Sequence, residues 1–177
     1  MSKVITVFGS SRPIRGDEEY QLAYEVGKQL SLSGFTLCNG GFGGIMEASA
    51  RGAKEAGGKT IGVTFTIKGR SANPWIDENI YVPALIERMM KLVELGDAYV
   101  VLKGGTGTLL ELAAVWEFIN KGLLAEKPIV IVGDFWQHVV ETLREELLWE
   151  GEGDCTKFIH CTSSPEECAE FLKRRLV

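Results

Sequence analysis

Histidine is nearly missing from this chain. His138 and His160 stand far apart, without cysteines or carboxylates at ligand spacing, and that sets aside a metal centre. The four cysteines, Cys38, Cys155, Cys161 and Cys168, contain no CxxC pair, and the chain opens on Met1-Ser2-Lys3 followed directly by a strand-like run. No signal peptide is visible, so reduced thiols and a cytoplasmic location are expected. No apolar stretch reaches about 18 residues, the length needed to span a bilayer, so no membrane partner is expected. Runs of basic residues are absent apart from Lys173-Arg174-Arg175, and the formal net charge is −5, which argues against a nucleic-acid surface. With 45% hydrophobic residues among 177, the chain has the length for one domain, 1–177, with a substantial core.

What is present is an alternation. Val4 to Phe8, Phe35 to Cys38, Thr60 to Phe65, Ile80 to Val82, Ala98 to Leu102, Pro128 to Val132 and Phe158 to Cys161 read as strands, rich in β-branched and apolar residues. Between them, 17–32, 45–56, 85–95, the run from Thr108 to Lys121, 135–149 and 165–176 carry helical periodicity. Strands alternating with helices predict an α/β fold, a doubly wound, mostly parallel Rossmann-like sheet with helices on both faces. The polar stretch from Thr66 to Glu78 is a loop of about 13 residues, long enough to cover a site.

The organising motif is Lys103-Gly104-Gly105-Thr106-Gly107-Thr108-Leu109-Leu110-Glu111, a glycine turn between a strand and a helix. Its glycines let the backbone approach a ligand, and the first amides of the helix suit a phosphate. Taken alone, the motif serves equally as a tight corner in which Thr108-x-x-Glu111 is a capping box. Two further glycine turns end strands on the same predicted edge: Gly9-Ser10-Ser11, and Gly40 to Gly44, which includes Gly41, Gly43 and Gly44 and leads into Met46. Three such turns converging where parallel sheets bind ligands favour a phosphorylated small molecule. Gly9 is followed by serines and no acidic residue ends the second strand, so a nicotinamide dinucleotide is disfavoured and no cofactor is expected. Arg88, by periodicity alone, is a solvated helix charge, and Met46, Met89, Trp75 and Trp116 are mostly core.

Together, Gly9-Ser10-Ser11, Gly44-Ile45-Met46, Gly57-Gly58, Arg88-Met89 and the Lys103-to-Glu111 turn resemble the cytokinin-activating phosphoribohydrolases, the LOG or "lonely guy" family once misnamed lysine decarboxylases. Lys103 stands where that family has proline, and Met89 where it has a lysine. The resemblance implies hydrolysis of the N-glycosidic bond of a nucleoside 5′-monophosphate to free base and ribose 5-phosphate. It implies Arg88 and Glu111 as the catalytic pair, nucleotide contacts from Gly9, Ser10, Ser11, Gly41, Gly43, Gly44, Met46, Gly104, Gly105, Thr106, Gly107 and Thr108, and a homodimer. Glu111, close to a helix N-terminus, is expected to stay ionised as base or electrostatic stabiliser. Glu117 lies about a third of a turn off the Glu111 face, so no second catalytic carboxylate is obvious. No lysine sits in a pyridoxal-binding motif. A carrier for a phosphorylated cofactor, such as the molybdenum cofactor, is the alternative on the same fold.

Overall fold

Seven strands and six helices form among the described residues of the computed structural model, 2–149, 151 and 154–177. In chain order they are β1 (Val4–Phe8), α1 (Glu18–Leu32), β2 (Thr36–Asn39), α2 (Ile45–Glu55), β3 (Thr60–Thr64), β4 (Glu78–Tyr81), α3 (Leu85–Leu95), β5 (Ala98–Val101), α4 (Thr106–Asn120), β6 (Ile129–Val132), α5 (Gln137–Trp149), β7 (Ile159–Thr162) and α6 (Pro165–Leu176). The strands make one sheet in the order β4-β3-β2-β1-β5-β6-β7, and every pairing is parallel. The sheet is therefore wholly rather than mostly parallel.

Each strand's period of two sends alternate side chains into two cores. Ile5, Val7, Leu37, Ala98, Val100, Val130 and Val132 pack with α1, α2 and α6. Phe8, Cys38, Tyr99, Val101, Ile129 and Ile131 pack with α3, α4 and α5 on the other face. Central strands buried on both faces read as continuous apolar runs, which is why β1, β5 and β6 show no alternation in sequence.

The chain steps outward from β1 to β4 and then returns to β5 beside β1. That reversal places the crevice between the carboxyl ends of β1 and β5, where the glycine turns after Phe8 and Leu102 begin. Pairing of Phe8 with Val101, and donation by the Leu102 N–H to the Phe8 carbonyl at 2.9 Å, bring both turns to one level.

On the first face α1 and α2 cross with their backbones almost touching. A Cβ on Gly27 would lie 2.0 Å from the Ser49 carbonyl oxygen, and one on Gly52 2.0 Å from that of Tyr24. Backbone cannot rotate away as a side chain does, so the helices would have to separate. Gly52→Ala is expected to destabilise the fold by about 1–3 kcal/mol, the range for overpacking a tight contact, and to lower Tm by several degrees. An unchanged melting curve would show that the crossing has slack.

Candidate active site

Ser10 stitches the three glycine turns together. Its N–H donates to the Lys103 carbonyl at 3.1 Å, and its own carbonyl accepts from the Ile45 N–H, the first of α2, at 2.8 Å. The turn after β2 is held from inside by buried Asn39. That side chain donates to the Met46 carbonyl at 2.8 Å and to Ser49 Oγ at 3.1 Å, and accepts from the Gly41 N–H at 2.8 Å. Gly44 takes a φ of 70° as the N-cap of α2, and a Cβ there would sit 2.4 Å from the Ser10 carbonyl oxygen. Only glycine lets these two turns close on each other.

Above them lies a cavity of about 400 Å³. Of the residues singled out from sequence, Gly9, Ser10, Ser11, Met46, Arg88, Gly105, Thr106, Gly107, Thr108 and Glu111 line it. Gly41, Gly43, Gly44 and Gly104 do not. A Cβ on Gly41 would meet the Thr64 side chain, and one on Gly104 would meet Thr108 Oγ1, so these two shape the turns from behind. A larger cavity of about 820 Å³ opens at the opposite edge, where β1 to β4 begin, among Lys54, Lys59, Asp77 and Glu78. Its charges are of mixed sign and it meets none of the glycine turns, whereas the smaller one gathers residues from all three of them.

α4 begins at Thr106 with Gly105 as its N-cap and no side-chain cap. The capping-box reading of Thr108 and Glu111 is thereby corrected: the helix starts two residues before Thr108, and Glu111 stands in its second turn. Without a side chain over them, the first amides of α4 remain available to an anion at the positive end of the helix dipole.

Arg88 is buried, contrary to the solvated position its helical spacing suggests. Its Nε donates to the Val63 carbonyl at 2.8 Å, Nη2 lies 3.6 Å from Met46 Sδ, and Nη1 lies 3.7 Å from Glu111 Oε1. The guanidinium also sits 5.6 Å from the ring centre of Phe42 and 5.8 Å from that of Phe65, within cation–π range of two rings that themselves meet edge to face. Gly40 makes the room: a Cβ there would be 1.5 Å from Nη2.

The side chains of Arg88 and Glu111 are only 9% and 14% exposed. Burial pushes the Glu111 carboxyl up to about 7, against the opposing pull of Arg88, and burial likewise lowers Arg88 from its ordinary value. The expectation that the helix terminus keeps Glu111 ionised is corrected. At the second turn the dipole has faded, and desolvation outweighs it. A carboxyl poised near neutrality exchanges protons readily at physiological pH. Glu117 is exposed, which leaves Glu111 as the carboxylate of this cavity.

Sequence reasoning missed Phe42, Phe65, Ile67, Arg70, Arg12 and Leu85, all of which line the cavity. The signals were faint: an aromatic inside a glycine loop, and an arginine in a long polar one. Asn73 hangs that loop on the glycine turn, its Nδ2 donating to the carbonyls of Gly41 at 3.1 Å and Phe42 at 2.8 Å. Lys103 turns away from the cavity. Its Nζ lies 2.6 Å from Glu19 Oε1. Trp116 and Met89 are core, whereas Met90 on the same helix is exposed.

Residues 2–166 match the model of a family described as the SLOG cluster4 family. A cytokinin riboside 5′-monophosphate phosphoribohydrolase from Rhodococcoides fascians is 35% identical over 136 residues, 75% of this chain and 68% of its own. One of the same name from Mycobacterium tuberculosis is 36% identical over 139 residues, 76% of this chain and 72% of its own. Among solved structures, the molybdenum cofactor binding protein of Rippkaea orientalis superposes with a TM-score of 0.77 at 26% identity, over 100% of this chain and 99% of its own.

Proposed function

The chain belongs to the SLOG cluster4 family, and from that premise we propose that it is a nucleoside 5′-monophosphate phosphoribohydrolase. The observation that carries this reading is the buried Arg88–Glu111 pair beside the uncapped start of α4, a reactive carboxyl next to an anion site. The substrate's phosphate lies on the amides of residues 105–108, which brings the ribose to Glu111. As the C1′–N bond breaks, the base leaves with the bonding electrons and positive charge builds on C1′ and the ring oxygen. Ionised Glu111 stabilises that charge and takes a proton from the attacking water, whose oxygen bonds to C1′. Glu111 then returns that proton to the departing base, directly or through solvent, so the products are the neutral base and ribose 5-phosphate and the carboxylate is restored. Arg88 holds the carboxylate in place and favours its charged form.

Incubation with a panel of nucleoside monophosphates and an assay for ribose 5-phosphate tests this. Release is expected, and a structure with bound phosphate is expected to place it against residues 105–108. No release across a broad panel, together with tight binding of a phosphorylated cofactor, would favour a second reading. That reading, a carrier, draws support from the end-to-end likeness to the molybdenum cofactor binding protein. A buried carboxyl near neutrality has no evident use in a carrier, and this weighs for the enzyme.

The reading extends to a homodimer. Leu85, Ile86 and Met90 on α3, and Leu109 and Leu110 on α4, are between 40 and 58% exposed, and both helices cover the same sheet face. Large apolar side chains gathered in this way suit a self-complementary interface. Light scattering is expected to give two chains, and Ile86→Asp one. A parental monomer at micromolar concentration would count against it.

A further inference from the structure

Glu111 and Arg88 engage each other, whereas two arginines that line the same cavity make no side-chain hydrogen bond or ion pair among the described residues: Arg12, on the turn after β1, and Arg70. The backbone of Arg70 is tied down, its N–H donating to the Ile67 carbonyl at 3.1 Å across a turn in which Gly69 has a φ of 75°.

The place of Arg70 in the strand order says which part of a nucleotide it meets. The anion site is at the end of β5, while Arg70 belongs to the loop that follows β3, three strands away across β1 and β2. At about 4.8 Å per strand, the two ends of the cavity are some 14 Å apart at the sheet edge, a distance that a nucleotide bridges and a phosphate does not. With the phosphate on α4 and the ribose at Glu111, the base is what reaches the β3 end. Phe65 and Ile67 line that end, with Phe42 from the turn after β2 and Met46 from the start of α2, and they suit the apolar faces of a base. Arg70 is the one charged lining residue carried by the loop after β3, so it meets the base's edge.

A guanidinium has donors and no acceptor. Guanine and hypoxanthine present two acceptors, O6 and N7, to such a fork, whereas adenine presents an amino group beside N7, and two opposed donors leave one unpaired. Resting on the hydrolase reading above, we infer that Arg70 is a specificity-determining residue that selects 6-oxopurine nucleoside monophosphates over adenine nucleotides, including those substituted on the amino nitrogen.

The test is kcat/KM for GMP, IMP, AMP and N6-isopentenyl-AMP with the parent, Arg70→Met and Arg70→Lys. The parent is expected to favour GMP and IMP over both adenine nucleotides by about tenfold or more, the discrimination of a bidentate arginine–guanine pair. Arg70→Met removes that ratio, and Arg70→Lys, which keeps the charge without the fork, leaves only part of it. A parental preference for AMP or its isopentenyl derivative, or a ratio unchanged in Arg70→Met, overturns the inference and leaves the hydrolase reading intact. Dissociation constants of the same four nucleotides, measured by calorimetry on Glu111→Gln and on Glu111→Gln with Arg70→Met, give the same ratio without turnover. If no nucleotide is hydrolysed, the hydrolase reading falls, and equal binding of the four then overturns the role of Arg70 as well.

Discussion

Glu111→Gln is expected to lower turnover by roughly a hundredfold or more, the loss typical of a positioned acid–base group, while the fold survives. The substitution keeps the side chain's size and removes the charge that the proposed oxocarbenium-like state needs. Stability should move the other way. Glu111 has a folded pKa near 7 against an ordinary value of 4.5, so ionising it costs the folded state more than the unfolded one. The stability tied to its neutral form is fully present below about pH 4.5 and is lost as pH rises through about 7. Glutamine never ionises. The variant should therefore match the parent near pH 4 and melt higher above pH 7, by on the order of 1–3 kcal/mol. Were Glu111 a helix cap instead, the same change would leave the rate near parental and cost about 1 kcal/mol at neutral pH. Paired rate and melting measurements separate the two.

Arg88→Ala is the second large effect. The guanidinium fills the space between Phe42, Phe65 and Gly40 and bonds the Val63 carbonyl, so its loss opens a void and leaves that carbonyl without this donor. Breaking a buried ion pair typically costs about 3–5 kcal/mol because a charge is stranded. Here Glu111 takes up a proton instead, so roughly 2–3 kcal/mol is expected at pH 7. Turnover should fall by at least tenfold, since the ionised carboxylate becomes rarer and less fixed. The pH–rate profile carries the sign. With ionised Glu111 as the active form, the parent's rate rises as pH climbs through about 7 and then levels. Arg88 pulls that pKa down, so its removal shifts the limb to higher pH. A parental rate that falls across the same window would assign Glu111 as a proton donor.

Much of this architecture was readable in advance because it rests on local pattern. The bounds of α3 and α6 match their periodicity, and the buried strands announced themselves as unbroken β-branched runs bounded by glycine. What local pattern does not carry is which elements meet. Arg88 follows three apolar or acidic neighbours on α3 and looks solvated, yet its burial depends on Gly40 from the β2 turn and on the Val63 carbonyl of β3. The same holds for Phe42 and Phe65, whose partner Arg88 lies 46 and 23 residues further along the chain. For Glu111 the reason is another. The sequence suggests a helix start at Thr108, whereas α4 begins two residues earlier, and the burial of Glu111, the larger influence on its proton, is a property of the packed molecule.

The stitching by Ser10 distributes stiffness unevenly around the cavity. Turns after β1, β2 and β5 share one residue's backbone, so none of them relaxes without disturbing the others. Across from them the long segment between β3 and β4 is suspended from Asn73, and it carries Ile67 and Arg70. On the proposed function, the phosphate end is thus a fixed frame and the base end an interchangeable fitting. Insertions or substitutions in that segment would then retune which nucleobase is accepted while Arg88 and Glu111 stay as they were. A lineage exploring new substrates would accumulate its changes there.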